Sequence, residues 1–252
     1  MFSLKNLFLS GKKPIVTAHR GFSGKYPENT IAAFEAAYRS GVDIVEFDVR
    51  ATADKALVIL HDETVDRTTD GSGQVSEINL ADLQQLNASH WHGTCDKGSR
   101  VCKPSLETAK IPTLDEVLNF FSDKDVGLNI QICVSGQYYN DKLCALYEEH
   151  KLYSKGFFTI PSFAQAKELK SINPDVEICV AEDRANLQRH KEFGSKIIQP
   201  RKEYVNSKFC ADIKKLGLWA NMFYSNTREE NKKYLAMGIQ GIMTDLPNLL
   251  LQ

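Results

Sequence analysis

Glu46 and Asp48 are two carboxylates that lie two residues apart in the segment DIVEFDVR. Apolar and charged residues alternate in this segment, as in a β-strand whose two faces meet different surroundings. In a strand covered on both sides, the two carboxylates would point into one partly buried space, where burial and like-charge repulsion are costly. A hard divalent cation, Mg²⁺ or Ca²⁺, would offset this cost. Ion pairs with Arg20 and Arg50 would offset it without a metal.

Two histidines directly follow apolar runs of the sequence. His19 and Arg20 come after PIVTA, and His61 and Asp62 come after KALVIL. Imidazole transfers protons near neutral pH, and a guanidinium group binds anions such as phosphate. A lone histidine more often has a structural role, so these residues predict chemistry only if the fold brings them to the carboxylates.

The rest of the chain predicts the elements that would bring these residues together. Short β-branched runs alternate with amphipathic segments of helical period along most of the 252 residues. Eight such repeats predict an α/β fold, the (β/α)8 TIM barrel, whose catalytic groups gather at the carboxyl ends of the strands. A doubly wound open sheet is the alternative, but its usual G-x-G-x-x-G turn is absent after the first strand. The predicted strands are PIVTA, DIVEFDV, GLNIQICV, GFFTI, VEICVA, KIIQP, LWANMFY and QGIMT.

Three of the predicted helices have a recognisable start. Thr113, Ser162 and Thr227 are each followed three residues later by a Glu or Gln. This spacing is typical of a capping box, in which the two side chains satisfy the first backbone N–H groups of a helix. We therefore expect helices to begin directly after these three residues.

A long polar segment interrupts the repeat after the second predicted strand. Residues 62–112 contain TTDGSG, the helical pattern NLADLQQL and the loop SHWHGTCDKGSRVCKPS. An insertion at the carboxyl end of a strand lies at the active face of a barrel. We expect one domain, residues 1–252, with residues 62–112 as a small insertion subdomain.

The composition argues against several classes of partner. Thirty-one basic and thirty-two acidic residues leave a net charge of −1, which favours neither nucleic acid nor an anionic membrane. No apolar run approaches the ~18 residues of a membrane-spanning helix, and the broken apolar patch near the N-terminus is too poor for a secretory signal. We expect a cytoplasmic protein without stable membrane insertion. Cys95 and Cys102 share a loop and could form a disulfide, although reduced cysteines fit that compartment better.

The order of the motifs is more informative than any single residue. Residues 14–121 contain H-R-G, P-E-N-T, E-x-D, an H-D pair, D-R-T-T-D-G-S-G-x-V and I-P-T-L-D-E-V-L, and residues 238–247 contain G-I-M-T-D-L-P. In this order they closely resemble the glycerophosphodiester phosphodiesterase family. The resemblance implies a phospholipase-C-like barrel that hydrolyses small-molecule glycerophosphodiesters to glycerol 3-phosphate and an alcohol.

The resemblance also assigns roles to five residues by position. His19 and His61 would form the acid–base pair, and Arg20 would bind the phosphate. Glu46 and Asp48 would be ligands of the divalent cation. The cation and the arginine would offset charge in the transition state, and each proton transfer by a histidine would contribute ~10²–10⁴-fold.

Two positions depart from the family pattern. The family motif E-I-K on the third barrel strand, with a glutamate metal ligand and a lysine phosphate contact, here has Gln131 and Cys133. Strand alternation still directs Gln131 into the site, where its amide oxygen would be an uncharged third ligand. Phe223 occupies the place of a family tryptophan, so we expect it either to pack on the glycerol of the substrate or to be a core aromatic.

Three functional hypotheses remain open at this point. The first is an active, metal-dependent phosphodiesterase. The second is a catalytically weakened barrel that binds phosphodiesters, and the third is a lysophospholipase-D-like phosphodiesterase. Because His19 and His61 are both present, the sequence favours the first hypothesis. The polar insertion gives no support for the apolar rim that a lipid substrate requires, and no pattern in the sequence indicates an oligomeric state.

Overall fold

The computed structural model describes residues 2–11, 14–90 and 108–251. Within these ranges, strands and helices alternate along most of the chain, and no helix is long and apolar enough to cross a bilayer. The strands are β1 Ile15–Ala18, β2 Ile44–Ala51, β3 Leu57–Ile59, β4 Gly127–Ile132, β5 Gly156–Ile160, β6 Ile178–Val180, β7 Ile197–Ile198, β8 Trp219–Met222 and β9 Gly241–Thr244. The helices are α1 Leu4–Leu9, α2 Ile31–Arg39, α3 Leu80–Leu83, α4 Leu114–Phe120, α5 Gln137–Glu149, α6 Phe163–Ile172, α7 Leu187–Phe193, α8 Ser207–Leu216 and α9 Arg228–Ala236.

All the strands except β3 form a nearly closed parallel barrel. Their hydrogen-bonded order is β6-β5-β4-β2-β1-β9-β8-β7. β1 pairs in parallel with β9, so the first and last strands of the chain are neighbours. The two ends of the order, β6 and β7, also lie next to each other. The predicted (β/α)8 barrel is confirmed, and an open doubly wound sheet is excluded.

β3 departs from the parallel pattern. It pairs antiparallel with β2, and just beyond it the N–H of Leu60 donates to the carbonyl oxygen of Asp48 at 3.0 Å. The chain therefore turns back along β2 before the insertion begins. This hairpin, which the strand pattern did not predict, sets His61 beside the second barrel strand.

The predicted insertion, residues 62–112, follows this hairpin. Residues 91–107, including Cys95 and Cys102, lie outside the described residues, so the expectation that these two cysteines are reduced stays a prediction. The described part contributes to a small apolar cluster of its own, separate from the main core. Its buried members are Val58, Leu60, Val65, Val75, Leu83, Ala88 and Ile111.

Side-chain alternation on β2 separates the core from the barrel interior. Val45 and Phe47 are buried in the core between the strands and the helices. There the ring of Phe47 lies 5.5 Å from that of Phe34 on α2, measured between centroids. Glu46 and Asp48, on the other face, are buried inside the barrel, as the alternation predicts.

Helix α1 covers the amino-terminal end of the barrel. Leu4 and Phe8 are buried in a cluster with apolar residues from the starts of the strands, Ile15, Ile44, Phe157, Cys179 and Ile197. Phe8 also stacks on Trp219 with 5.4 Å between ring centroids. Because this end is filled by apolar side chains, the buried polar groups lie towards the opposite, carboxyl end.

The predicted capping boxes form only in part. Thr113 makes the complete box with the glutamate three residues on. Ser162 and Thr227 accept the expected backbone hydrogen bonds, but the second half of each box is missing. The side chain of Gln165 donates instead to a loop carbonyl, and Glu230 pairs with Lys202 in the loop after β7. Tertiary contacts thus replace the local ones at these two helices.

Candidate active site

His19 follows β1 at the carboxyl end of the barrel and is only 4% exposed. Its Nδ1 lies 2.7 Å from Oδ1 of Asp245, the residue after β9. That carboxylate also accepts hydrogen bonds from Ser23 and Asn226. Since a carboxylate only accepts, Nδ1 carries the proton and Nε2 is the basic nitrogen. Burial lowers the pKa of His19 from its ordinary value of 6.5, so the imidazole is neutral near pH 7.

Glu46 and Asp48 lie inside the barrel at 1% and 0% exposure. Oε2 of Glu46 accepts the backbone N–H of Arg20 at 2.8 Å. Asp48 accepts hydrogen bonds from Asn29 at 2.9 Å and from Gln131 at 2.8 Å. Nε of Arg20 lies 3.2 Å from Oδ2 of Asp48, as an ionic contact without hydrogen-bond geometry. Asp48 thus has a cationic neighbour, whereas no cationic side chain of the described residues is within ion-pair distance of Glu46.

Arg50, the other predicted ion-pair partner, reaches neither carboxylate. Its Nε donates to the carbonyl oxygen of His61 at 2.7 Å, and its Nη1 lies 4.0 Å from Glu63. The ion-pair explanation for the two buried carboxylates therefore holds for Asp48 and leaves Glu46 without an ion pair among the described residues.

The environment of Glu46 fits a divalent cation. Burial, and then the charge of Asp48, raises the pKa of Glu46 well above its ordinary value, because both disfavour the ionised form. A further positive charge beside this carboxylate would favour its ionised form. Nowhere in the described ranges do three His, Cys, Asp or Glu side chains meet as a metal-binding group. The two carboxylates and the amide oxygen of Gln131, with water, are a donor set that Mg²⁺ or Ca²⁺ accepts.

The loop after β1 fixes the position of Arg20. Its φ of +57° is left-handed, a conformation that costs a non-glycine residue about 1–2 kcal/mol, and it places the backbone N–H on Glu46. The next residue, Gly21, has a φ of +76°, and a Cβ there would lie 2.7 Å from the backbone of α2. The glycine of the H-R-G motif thus lets this loop pack against α2. The guanidinium Nη1 of Arg20 donates to Glu28 at 2.7 Å.

His61 lies in the loop after β3, and its side chain is 38% exposed. Its Nδ1 is 2.6 Å from Oδ1 of Asp62, which also accepts from Arg67. Although burial opposes the ionisation of Asp62, hydrogen bonds from the histidine and the arginine lower its pKa. Arg67 binds Glu28 as well, and Glu28 binds Arg20. A continuous series of ion pairs therefore joins His61 to the residue next to His19.

Phe223 and Tyr224 follow β8 and lie against His19. Their ring centroids are 5.6 Å and 5.4 Å from the centroid of the imidazole. Phe223 is half-buried at the mouth of the barrel and is not a member of the apolar clusters described for the core. This position favours the substrate-packing role of Phe223 over the role of a core aromatic.

Sequence reasoning left several residues of this site without a role. The signal for them was the motifs themselves, because each residue lies within one of the quoted segments. PENT supplies Glu28 and Asn29, DRTT supplies Arg67, and TDLP supplies Asp245. No local pattern predicts which distant side chain each of them binds.

The sequence of this chain was compared with models of known protein families. Residues 19–249 match the Glycerophosphoryl diester phosphodiesterase family. The chain belongs to this family. The match confirms the family and the enzyme class that the motifs predicted.

Individual members of the family agree with this assignment. A glycerophosphodiester phosphodiesterase from Caldanaerobacter subterraneus subsp. tengcongensis is 31% identical over 247 residues, which cover 95% of this chain and 97% of the relative. The crystal structure of a glycerophosphodiester phosphodiesterase from Agrobacterium tumefaciens shares the fold with a TM-score of 0.79 at 24% identity, over 94% of this chain and 99% of that chain. A phosphodiesterase from Oleispira antarctica, solved in complex with the product sn-glycerol 3-phosphate, has a TM-score of 0.77 at 27% identity over 93% and 94%.

Proposed function

We propose that this phosphodiesterase hydrolyses glycerophosphodiesters to glycerol 3-phosphate and an alcohol, using a divalent cation and two histidines. The observation that carries the proposal is that His19 and His61 each bind a carboxylate through Nδ1, in a barrel whose interior holds the buried Glu46. The product complex of the Oleispira antarctica relative supports glycerol 3-phosphate as a product.

Glu46, Asp48 and Gln131 would hold the cation, Mg²⁺ or Ca²⁺. When bound, the cation would stabilise negative charge that develops on the phosphoryl oxygens. Arg20 would bind the same oxygens, because its Nη2 makes no hydrogen bond within the described residues while Nη1 is held by Glu28. A guanidinium group anchored at one nitrogen presents the others in a fixed orientation.

The two histidines would divide the proton transfers. His19, neutral and held in one tautomer by Asp245, takes a proton at Nε2 from the attacking water as the new oxygen–phosphorus bond forms. The Asp245 carboxylate stabilises the positive imidazolium that results. His61 donates a proton from Nε2 to the alcohol oxygen as the bond from phosphorus to that oxygen breaks. Because His61 is partly exposed, it regains its proton from solvent.

The direct test is the release of glycerol 3-phosphate from glycerophosphoglycerol, followed by phosphorus NMR with Mg²⁺ or Ca²⁺ present. His19→Ala and His61→Ala should each lower kcat by ~10²–10⁴-fold. His150→Gln is the matched control, because His150 also pairs with an aspartate, Asp115, at 3.0 Å, but lies at the end of α5. It should leave kcat unchanged. Hydrolysis that is unaffected by either alanine variant would refute the proposed roles, and a wild-type protein without product release would refute the function.

A further inference from the structure

A cavity of about 370 Å³ opens beside the cation site, at the carboxyl ends of β4, β5 and β6. It is lined by Gln131 on β4, Thr159 on β5 and Arg184 in the loop after β6. Gln131 also donates to Asp48, so the cavity shares a wall with the carboxylate pair. In the barrel order, β5 and β6 lie at a distance from β1 and His19. The cavity therefore extends the candidate active site away from the buried histidine.

Arg184 is the charged group in this cavity that lacks a partner of opposite charge. Its Nε donates to the carbonyl oxygen of Ala181 at 3.1 Å and its Nη1 to that of Gln199 at 2.8 Å. Its Nη2 has no hydrogen-bond partner, and no carboxylate lies within ion-pair distance, among the residues that the structure describes. Burial lowers the pKa of Arg184. A cation that is desolvated without a nearby negative charge is stabilised by an anionic ligand.

The acidic residues next to Arg184 in sequence do not compensate it. Glu182 and Asp183 instead lie 3.0 and 3.5 Å from Nη1 of Arg189 on α7. The neighbouring arginine is thus paired with two acids on the outside of the barrel, while Arg184 lines the cavity with none. Local sequence gives both arginines the same acidic neighbours, and only the fold separates them.

The remaining wall of the cavity is neutral or positive on balance. Its other charged residues are Arg50 and Glu63, whose charges lie 4.0 Å apart and offset each other. Behind Thr159, the buried Nε2 of Gln199 is a donor without an acceptor among the described residues. The residues that line the cavity, which do not include Glu46 and Asp48, thus carry one positive charge that no lining carboxylate offsets.

Phe223 connects the cavity with the candidate catalytic histidine. Cζ of Arg184 lies 5.8 Å from the centre of the Phe223 ring, and the edge-on His19 ring lies 5.6 Å from the same centre. A diester whose phosphate is next to His19 would reach the cavity with one of its two ester groups. An anion on that group would meet the guanidinium of Arg184, whose planar donors match phosphate and carboxylate oxygens.

We propose that this cavity holds the alcohol half of the diester, and that Arg184 selects alcohols that carry an anionic group, a phosphate or a carboxylate, over cationic alcohols such as choline. The inference rests on the proposed function and adds a substrate class to it. A quaternary ammonium group in the same place would be repelled by the uncompensated guanidinium.

The test uses three diesters of glycerol 3-phosphate whose alcohols differ in charge: choline, ethylene glycol and 3-hydroxypropionate. For the wild type, kcat/KM should be highest for the carboxylate ester and lowest for the choline ester. Arg184→Gln should lower kcat/KM for the carboxylate ester by about 10- to 100-fold, the effect of losing a charged hydrogen bond, and should raise kcat/KM for the choline ester, because the repelling guanidinium is gone. Arg184→Lys should keep part of the preference, and the control Arg189→Gln should keep all of it.

A second variant tests the cavity even if the Arg184 substitutions destabilise the protein. Ser135 lines the same cavity and is exposed, so Ser135→Asp adds a negative charge without disturbing the core. It should weaken the preference for the carboxylate ester by about three- to tenfold. Equal losses for all three esters in Arg184→Gln would contradict the proposal, because they would place Arg184 on the phosphate or the glycerol. An unchanged preference in both the Arg184→Gln and the Ser135→Asp variants would contradict it as well.

Failure of the proposed function has a separate signature, the absence of hydrolysis of any of the three esters by the wild type. Equilibrium binding of the same esters, measured by calorimetry, then tests independently whether the cavity prefers an anionic alcohol. Tighter binding of the carboxylate ester that is lost in Arg184→Gln would support the inference. Equal binding of all three esters to the wild type would overturn it.

Discussion

The two histidines of the candidate site have the same partner chemistry in opposite surroundings. Nδ1 of His19 lies 2.7 Å from an aspartate and that of His61 lies 2.6 Å from another. The first pair is buried in the barrel, with side chains 5% and 7% exposed, whereas those of the second are 38% and 26% exposed. A carboxylate on Nδ1 fixes the tautomer in both cases, so burial distinguishes the two residues. Burial lowers the pKa of His19, and exposure leaves His61 accessible to solvent, in line with the base and acid roles proposed for them.

The two aspartates also differ in the groups that donate hydrogen bonds to them. Asp245 accepts hydrogen bonds from the hydroxyl of Ser23 and the amide of Asn226. Asp62 accepts hydrogen bonds from the guanidinium of Arg67. Arg67 offsets part of the negative charge of Asp62, and the pair of His61 with Asp62 is also more exposed to water than the pair of His19 with Asp245. We therefore expect catalysis to depend more strongly on the buried pair.

Asp245→Asn, which disrupts the buried pair, should have the largest effect on kcat. The asparagine can present its amide N–H to Nδ1, which favours the wrong tautomer and removes the charge that stabilises the imidazolium. We expect kcat to fall by ~10²–10⁴-fold, measured as glycerol 3-phosphate release. Asp115→Asn, which removes the partner of His150 outside the site, should leave kcat unchanged. A loss of less than about twofold for Asp245→Asn would show that His19 is not the base.

Asp62→Asn should have a smaller effect on kcat, about tenfold. His61 is partly exposed, so water can replace part of the lost hydrogen bond. The same assay measures it, together with thermal unfolding to verify the fold. If Asp62→Asn lowered kcat as much as Asp245→Asn does, the difference in burial would not explain the roles of the two histidines.

Gln131→Glu tests the cation site without changing the aspartate partner of either histidine. A third carboxylate beside Glu46 and Asp48 should tighten Mg²⁺ or Ca²⁺ binding by about tenfold, while the pH profile stays the same because each histidine keeps its aspartate. Calorimetry and the metal dependence of kcat measure this effect. Gln137→Glu on the exposed face of α5 is the control. An unchanged metal dependence in Gln131→Glu would exclude Gln131 as a ligand.

The smallest expected effect is a shift in the pH dependence of kcat/KM. It tests the pKa of His19 in the buried pair. Because His19 acts in its neutral form and burial lowers its pKa from 6.5, kcat/KM should rise with pH through a midpoint below that value. The hydrogen bond with Asp245 opposes this lowering, so the midpoint should move further down in Asp245→Asn. A wild-type midpoint above 6.5 would contradict a neutral His19 as the base.

Much of this site could be predicted from local sequence. The alternation of β2 and β4 correctly predicts that Glu46, Asp48 and Gln131 face the barrel interior, since side chains alternate between the faces of any strand. Asp48 and Gln131 are also opposite each other in the register of β2 and β4. The complete capping box at Thr113 follows from local spacing in the same way.

The long-range pairings could not be predicted in this way. His19 and Asp245 are 226 residues apart, and they meet because β1 and β9 are neighbours in the barrel. Arg184 and Arg189 have the same acidic neighbours in sequence, and only the fold assigns those acids to Arg189. The contact of His19 with Asp245 depends on the pairing of the first strand with the last, which no periodicity encodes.

The proposed chemistry requires a divalent cation beside Glu46 and Asp48. Calorimetric titration of the metal-free protein with Mg²⁺ and Ca²⁺ measures this binding, with the Glu46→Gln/Asp48→Asn double variant as comparison. We expect one binding event in the wild type and none in a double variant that remains folded. Equal binding by the two proteins, or no binding by the wild type, would contradict the proposed cation site.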